Sequence, residues 1–147
     1  MRNYYLQINE YVEKLVENII IHDKKGLVVK GTSLSVIELL ILKKLGNVQE
    51  KKMYEMIEAL NIDRNSFVTY INKLQQKQYI MKRKSRKDKR VQVLSLTEKG
   101  KELTAEIVKK EKEMLYSILN DFSFNEEKAI LKFLVKLDML NKEKNRN

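Results

Sequence analysis

The sequence has 147 residues and a formal net charge of +10, from 30 Lys and Arg against 20 Asp and Glu. This length fits one domain with a hydrophobic core, and the positive charge favours an anionic partner such as nucleic acid or a membrane surface. No apolar run reaches the roughly 18 residues of a membrane helix, no secretory signal is recognisable, and cysteine is absent, so we expect a soluble, cytoplasmic protein without thiol chemistry.

The first predicted element is a long amphipathic helix over residues 3–22. Its apolar positions recur at steps of four and three, which places them on one helix face. These positions are Ile8, Val12, Leu15 and Ile19, and His22 continues the same spacing. Residues 23–32 contain Gly26 and Gly31 and are predicted to form a loop.

Two shorter helices are predicted next. Ser35 and Glu38 have the spacing of a capping box, so a helix should begin near Ser35 and end near Gly46. Residues 36–42 are apolar on every side, which predicts the buried central helix of the domain. A further helix is expected over 50–60, and its apolar face holds Met53, Ile57 and Leu60.

The following helix has a surface suited to reading DNA bases. Asp63 is a good N-cap for a helix that runs to about Gln78. One face holds Phe67, Ile71, Leu74 and Gln78, whereas the opposite face is polar and nearly uncharged, with Asn65, Thr69, Asn72, Lys73 and Gln76. Such a face can enter the major groove, although an ordinary solvated helix face has the same composition. The candidate DNA-binding residues are Arg64, Asn65, Ser66, Thr69, Tyr70, Asn72 and Lys73.

A basic hairpin follows this helix. The alternating pattern from Tyr79 to Leu96 predicts two strands, and the span Lys82 to Arg90 holds seven basic residues against one Asp. A cationic hairpin directly after a recognition helix is suited to contact phosphates and the minor groove, although charges that protect edge strands are an alternative. The candidate wing residues are Lys84, Arg86, Lys87, Asp88, Lys89 and Arg90.

Two long amphipathic helices are predicted to complete the chain. One begins at Thr97 and runs to about Asp121, and the other begins near Asn125 and precedes a polar tail from Asn141. Together with the helix over 3–22, they carry more apolar surface than the small winged region can cover, which predicts association between chains.

Four segments resemble the MarR family of winged-helix transcription regulators over nearly the whole chain. They are LSVIELLIL at 34–42, MIEALNID at 56–63, DKR at 88–90 and LSLTEKG at 94–100. The resemblance implies a single mainly α domain over 1–147 with a small β-hairpin wing. It further implies a winged helix-turn-helix DNA-binding region over 34–96 and N- and C-terminal dimerisation helices over 1–22 and 97–141.

The same resemblance implies a homodimer that reads a pseudo-palindromic operator in double-stranded DNA. Arg90 would enter the minor groove while Asp88 holds its guanidinium. Three positions depart from the family pattern. Gln78 stands where Gly is common, which predicts a non-glycine residue at positive φ or a different turn. Ile57 replaces Ala, which predicts a wider helix crossing, and Thr69 replaces an arginine.

The remaining polar residues give little indication of a second site. Tyr11 and His22 are candidates for binding a small aromatic or anionic effector, although packing roles explain both. Neither a cofactor nor a metal site is expected, and no pattern indicates an enzyme. The sequence therefore predicts a dimeric, sequence-specific transcription regulator, a repressor released by a small ligand. The alternatives are a winged-helix protein-interaction module and a nonspecific architectural DNA-binding protein.

Overall fold

The computed structural model describes residues 4–146 and contains six helices and five short strands in that range. The helices are α1 (Tyr5–Lys25), α2 (Val36–Gly46), α3 (Met53–Leu60), α4 (Arg64–Gln76), α5 (Glu98–Leu119) and α6 (Phe124–Arg146). The strands are β1 (Leu27–Val29), β2 (Thr32–Leu34), β3 (Lys51–Lys52), β4 (Ile80–Lys84) and β5 (Gln92–Leu96). The predicted class, mainly α with a small β-hairpin wing, is confirmed.

The chain divides into two compact units, one that reaches to Val108 and one that begins at Lys109. The first unit contains the hydrophobic core, in which Phe67, Ile41 and Leu94 are fully buried. Each such side chain stabilises the fold by about 1.5–3 kcal/mol through removal of its apolar surface from water. The elements that carry the predicted DNA contacts, α4, β4 and β5, therefore stand on one common core.

The segment between the first two helices is not the predicted loop but a β-hairpin. β1 and β2 pair antiparallel, with Leu27 opposite Leu34. Lys30 and Gly31 connect the strands with φ values of 49° and 76°, and a two-residue turn with both φ values positive matches the twist of a hairpin. Because β1 and β2 have only three residues each, they are too short to show an alternating pattern that sequence could reveal.

The capping box at the start of α2 is confirmed. The Ser35 hydroxyl accepts a hydrogen bond from the Glu38 amide at 3.2 Å, and the Glu38 carboxylate accepts one from the Ser35 amide at 3.1 Å. A third hydrogen bond stabilises this helix start: the Val36 amide donates to the carboxylate of Asp23, near the end of α1, at 2.7 Å. The helix ends at Gly46 as predicted, but it is buried along one side only, since Leu40 remains 37% exposed.

The helix predicted over 50–60 begins three residues later, at Met53. The preceding pair, Lys51 and Lys52, forms β3 and pairs with Leu94 and Val93 of β5. The order of the sheet is β3-β5-β4, so β3 covers an edge of β5 that would otherwise be left unpaired. A two-residue strand leaves no periodic pattern in the sequence.

The second unit consists of the end of α5 and the whole of α6. Ser123 and Glu126 form a capping box that was not predicted, with hydrogen bonds of 2.8 and 3.2 Å. Helix α6 continues to Arg146, so the residues from Asn141, predicted to be a polar tail, are helical. Within residues 4–146, none of the helices has the length and apolar character needed to cross a membrane.

Candidate nucleic-acid interface

Helix α4 is fixed at its start by Asp63 and along its length by the core. The carboxylate of Asp63 accepts hydrogen bonds from the Ser66 amide at 2.9 Å and from the Ser66 hydroxyl at 2.7 Å. These bonds lower the pKa of Asp63 below its ordinary range, because they stabilise the charged form. On the core side Phe67, Ile71 and Leu74 are fully buried, as predicted. The rotation of α4 about its axis is therefore fixed.

The opposite face of α4 is exposed to solvent. Four of the predicted base-reading side chains and one that flanks them are exposed: Asn65, Thr69, Asn72, Lys73 and Arg64. The Thr69 hydroxyl donates to the Asn65 carbonyl oxygen at 3.0 Å, which leaves its methyl group and lone pairs for an outside partner.

Two of the predicted recognition-helix residues have structural roles in α4. Ser66 is partly buried, and its hydroxyl hydrogen is donated to Asp63. Tyr70 is also partly buried and packs against the core. Sequence spacing placed Ser66 at the margin of the polar face, and the structure shows that Ser66 and Tyr70 each already have a partner within the protein.

The end of α4 turns without glycine. Lys77 ends the helix, and Gln78 adopts a φ of 65°, so the predicted non-glycine residue at positive φ is confirmed. After this turn the amide of Thr97 donates to the Tyr79 carbonyl oxygen at 3.0 Å. Gly100 passes so close to that oxygen that a Cβ there would lie 2.0 Å from it. Helix α4, the wing and α5 therefore meet at one tightly packed junction.

The wing is a regular antiparallel hairpin. Ile80 lies opposite Leu96 and Lys84 opposite Gln92, which leaves residues 85–91 as the connecting loop. Within this loop the Ser85 amide donates to the Val91 carbonyl oxygen at 2.8 Å, and the Val91 amide donates to the Asp88 carbonyl oxygen at 3.0 Å. The tip is therefore an ordered turn closed by its own backbone.

Asp88 holds the guanidinium of Arg90 at this tip. Its carboxylate accepts three hydrogen bonds from Arg90: from the amide at 3.1 Å, from Nε at 3.2 Å and from Nη2 at 3.4 Å. The bonds from the Arg90 side chain are the main reason that the pKa of Asp88 is lowered, and the nearby charge of Lys52 adds to the effect. The Arg90 side chain remains 92% exposed, so it is oriented and still accessible to a partner.

The other predicted wing cations are exposed at the tip and on the strand before it. They are Lys84, Arg86, Lys87 and Lys89. Sequence reasoning did not assign a role to Arg83, whose guanidinium forms an ion pair with Glu50. Because these two residues are 33 positions apart, no local pattern in the sequence indicates their pairing.

The two candidate effector-binding residues lie on α1, and both are exposed. The ammonium of Lys14 lies 4.8 Å from the centre of the Tyr11 ring. His22 is in the last turn of α1, where a helix terminus favours positive charge. No group of three or more potential metal ligands is present in the part of the chain that the structure describes.

Comparisons with known proteins agree with this geometry. The family model described as transcriptional regulator SarA/Rot matches residues 23–107, which is more than half of the chain. No curated protein matches the sequence at a significant level.

Solved structures match over nearly the whole chain. Streptococcus pneumoniae FabT, crystallised in complex with DNA, is similar with a TM-score of 0.83 and 24% identity over 95% of this chain and 98% of that one. Bacillus subtilis YusO gives a TM-score of 0.68 and 21% identity over 95% and 99% of the two chains. MarR gives 0.63 and 19% over 75% of each. The predicted winged-helix fold of MarR type is confirmed.

Proposed function

The chain belongs to the SarA/Rot family of transcriptional regulators, and we propose that it is a dimeric, sequence-specific DNA-binding repressor that a small ligand releases. The observation that carries this proposal is the fixed and exposed guanidinium of Arg90 at the tip of an ordered hairpin. A preorganised cation of this kind suits the narrow minor groove, where the negative potential is enhanced. Helix α4, which contacts strand β4 of the same hairpin and whose polar face is open to solvent, supplies the second contact element.

The two elements have separate roles in this proposal. Helix α4 enters the major groove, where Asn65 and Asn72 suit adenine, Lys73 suits guanine and Thr69 can contact either base or phosphate. The wing cations bind phosphates and contribute affinity without sequence choice. Ser66 supports the helix, since its amide and its hydroxyl both donate to Asp63, the N-cap of α4.

A homodimer explains the apolar side chains that a single chain leaves exposed. On α1 these include Leu6, Ile8, Leu15, Val16, Ile19 and Ile20. On α6 they include Leu131, Phe133, Leu134, Val135, Leu137 and Leu140. We assign residues 1–22 and 97–141 to dimerisation and residues 34–96 to DNA binding. Exposed apolar surface of this kind marks association, and a two-fold dimer would bind half-sites about 34 Å apart on a pseudo-palindromic operator.

Release by a ligand requires a site that changes the dimer. Tyr11 and His22 lie on α1, a helix that we place at the dimer interface. They are about three helical turns apart, so each is a separate candidate contact for a small aromatic or anionic effector. A ligand that binds the DNA-free arrangement of the dimer more tightly would lower its affinity for the operator.

The test is selection of bound sites from random double-stranded DNA with the full-length protein. We expect an enriched two-fold symmetric sequence whose half-sites are centred about one helical turn apart. A protein-interaction module would enrich nothing, and an architectural protein would bind all sequences with nearly equal affinity. Either result would contradict the proposal.

A further inference from the structure

A cleft of about 460 Å³ lies at the base of the wing, beside β3. We call it the wing-base cleft. Five cationic side chains are part of its lining: Lys51, Lys52, Arg83, Arg86 and Lys87. Two carboxylates, Glu50 and Glu55, also line it, so the site carries an excess of positive charge. The volume falls within the roughly 300–1,000 Å³ of small-molecule sites.

The sheet register explains how the cations come together. Val93 of β5 lies opposite Lys52 on one side and opposite Arg83 on the other. Directly opposed residues point to the same face of a sheet, so these three side chains form one row. Val93 is only 4% exposed, and long cationic side chains such as those of Lys52 and Arg83 can cover apolar surface with their alkyl stems. The floor of the cleft is therefore apolar and its rim is cationic.

The charge balance of the cleft is unequal. Glu50 is committed to Arg83. The other four cations that line the cleft form no ion pair with a carboxylate in the part of the chain that the structure describes. Lys52 lies close enough to Asp88 for its charge to act on that carboxyl group. Like charges gathered around a concavity repel one another, and an anion in the cleft would relieve that repulsion.

We propose that the wing-base cleft binds a phosphate group, with Lys52, Arg86 and Lys87 as its main ligands. Arginine can bind a phosphate with two parallel hydrogen bonds, and lysine contributes a compact point charge. The phosphate comes either from the DNA backbone or from a phosphorylated small molecule. If the phosphate belongs to the DNA backbone, the inference rests on the function proposed above. In that case β3 is a third contact element besides α4 and the wing.

The first arm of the test measures a free phosphate. Pyrophosphate is titrated by calorimetry at low salt into the full-length wild type, Lys52→Gln and the control Lys24→Gln. Lys24 is an exposed lysine in the last turn of α1, outside the cleft and outside the segments assigned to dimerisation and DNA binding, so its replacement removes the same charge elsewhere. For a cleft that accepts free phosphate, we expect Lys52→Gln to weaken binding about fivefold and the control to leave it unchanged.

The second arm measures DNA affinity against salt concentration with the same three proteins. Loss of one phosphate contact lowers the slope of log K against log salt by about 0.9, so Lys52→Gln should show this decrease and Lys24→Gln should not. A change in this arm alone identifies the DNA backbone as the source of the phosphate. A change in the pyrophosphate arm alone identifies a small molecule.

A variant with the opposite expected effect keeps the test independent of folding defects. Glu50→Gln removes the carboxylate that competes for Arg83, so phosphate should bind more tightly, by about twofold to fivefold. Glu143→Gln, an exposed acid near the end of α6 and outside the cleft, is its matched control. If each variant behaves like its control in both arms, the proposal is overturned. If selection from random DNA enriches no site but pyrophosphate binding still depends on Lys52, phosphate binding by the cleft is supported and the proposed DNA-binding function is contradicted.

Discussion

Helix α4 and the wing differ in how their exposed side chains are held. The exposed side chains of α4 are mostly neutral, and the helix that carries them is fixed by a buried row of Phe67, Ile71 and Leu74. The wing tip has no comparable core, and its order comes from the Asp88–Arg90 hydrogen bonds and from backbone bonds across the loop. A rigid neutral surface suits discrimination between bases, whereas a loop rich in cations suits attraction to any phosphate.

The two elements share one device. Each is held by an aspartate that accepts hydrogen bonds from a residue two or three positions further on: Asp63 from Ser66 and Asp88 from Arg90. Both carboxylates have lowered pKa values for this reason. The proposal that α4 provides specificity and the wing provides affinity can therefore be tested by changing each element separately.

The largest effect is expected for the neutral face of α4. Asn65→Ala should change the preference at one base position by about 1–3 kcal/mol, because a base contact is lost. The salt dependence should stay the same, since no phosphate contact is removed. Binding to duplexes that vary at each operator position provides the measurement. A uniform loss on all sequences would show that Asn65 does not read bases.

A substitution at the wing tip should change the affinity and its salt dependence and leave the base preference unchanged. Arg90→Ala is expected to weaken binding to all sequences about tenfold at physiological salt and to reduce the salt dependence. Asp88→Asn keeps the shape of the side chain but removes its charge, so it should produce a smaller loss. Fluorescence anisotropy with specific and random duplexes measures both. Unchanged affinity of Arg90→Ala would remove the wing from the interface.

The turn at Gln78, which connects α4 to the wing, has a strained backbone conformation that a substitution can relieve. Gln78 has a φ of 65°, which costs a non-glycine residue free energy, so Gln78→Gly should stabilise the protein by about 0.5–1 kcal/mol. Asn61 has a φ of 51°, but asparagine tolerates this region, so Asn61→Gly should gain less. Urea unfolding measures both changes. Equal gains, or a loss at Gln78, would contradict this account of the turn.

The smallest effect concerns pH. The pKa values of Asp63 and Asp88 are lowered in the folded protein. Their charged forms therefore stabilise the folded state at any pH above the ordinary aspartate pKa of about 4. This stability should be constant from pH 8 to 5 and should be lost as the pH falls through the lowered pKa values. Thermal unfolding followed by circular dichroism tests this. Asp63→Asn, which keeps a capping side chain without the charge, should show a weaker decrease in acid.

Much of this fold could be predicted because its signals are local. The capping box of Ser35 and Glu38, the N-cap at Asp63 and the period of Phe67, Ile71 and Leu74 all depend on residues a few positions apart. The basic tip of the hairpin was also predicted from the sequence. A positive φ at Gln78 was one of the two alternatives that the replacement of the family's glycine left open. The strands β1, β2 and β3 were missed because two or three residues are too few to establish a period.

The sequence by itself determined which helix faces are apolar, where the positive charge is concentrated and which residues can cap or turn the chain. Only the tertiary structure decided that Glu50 pairs with Arg83 and that Lys52 joins Arg86 and Lys87 around one cleft. It also showed that Ser66 and Tyr70 already have partners within the fold. The physical reason is distance along the chain: a cap or a helix face is set by neighbouring residues, whereas a sheet places side chains more than thirty positions apart in one row.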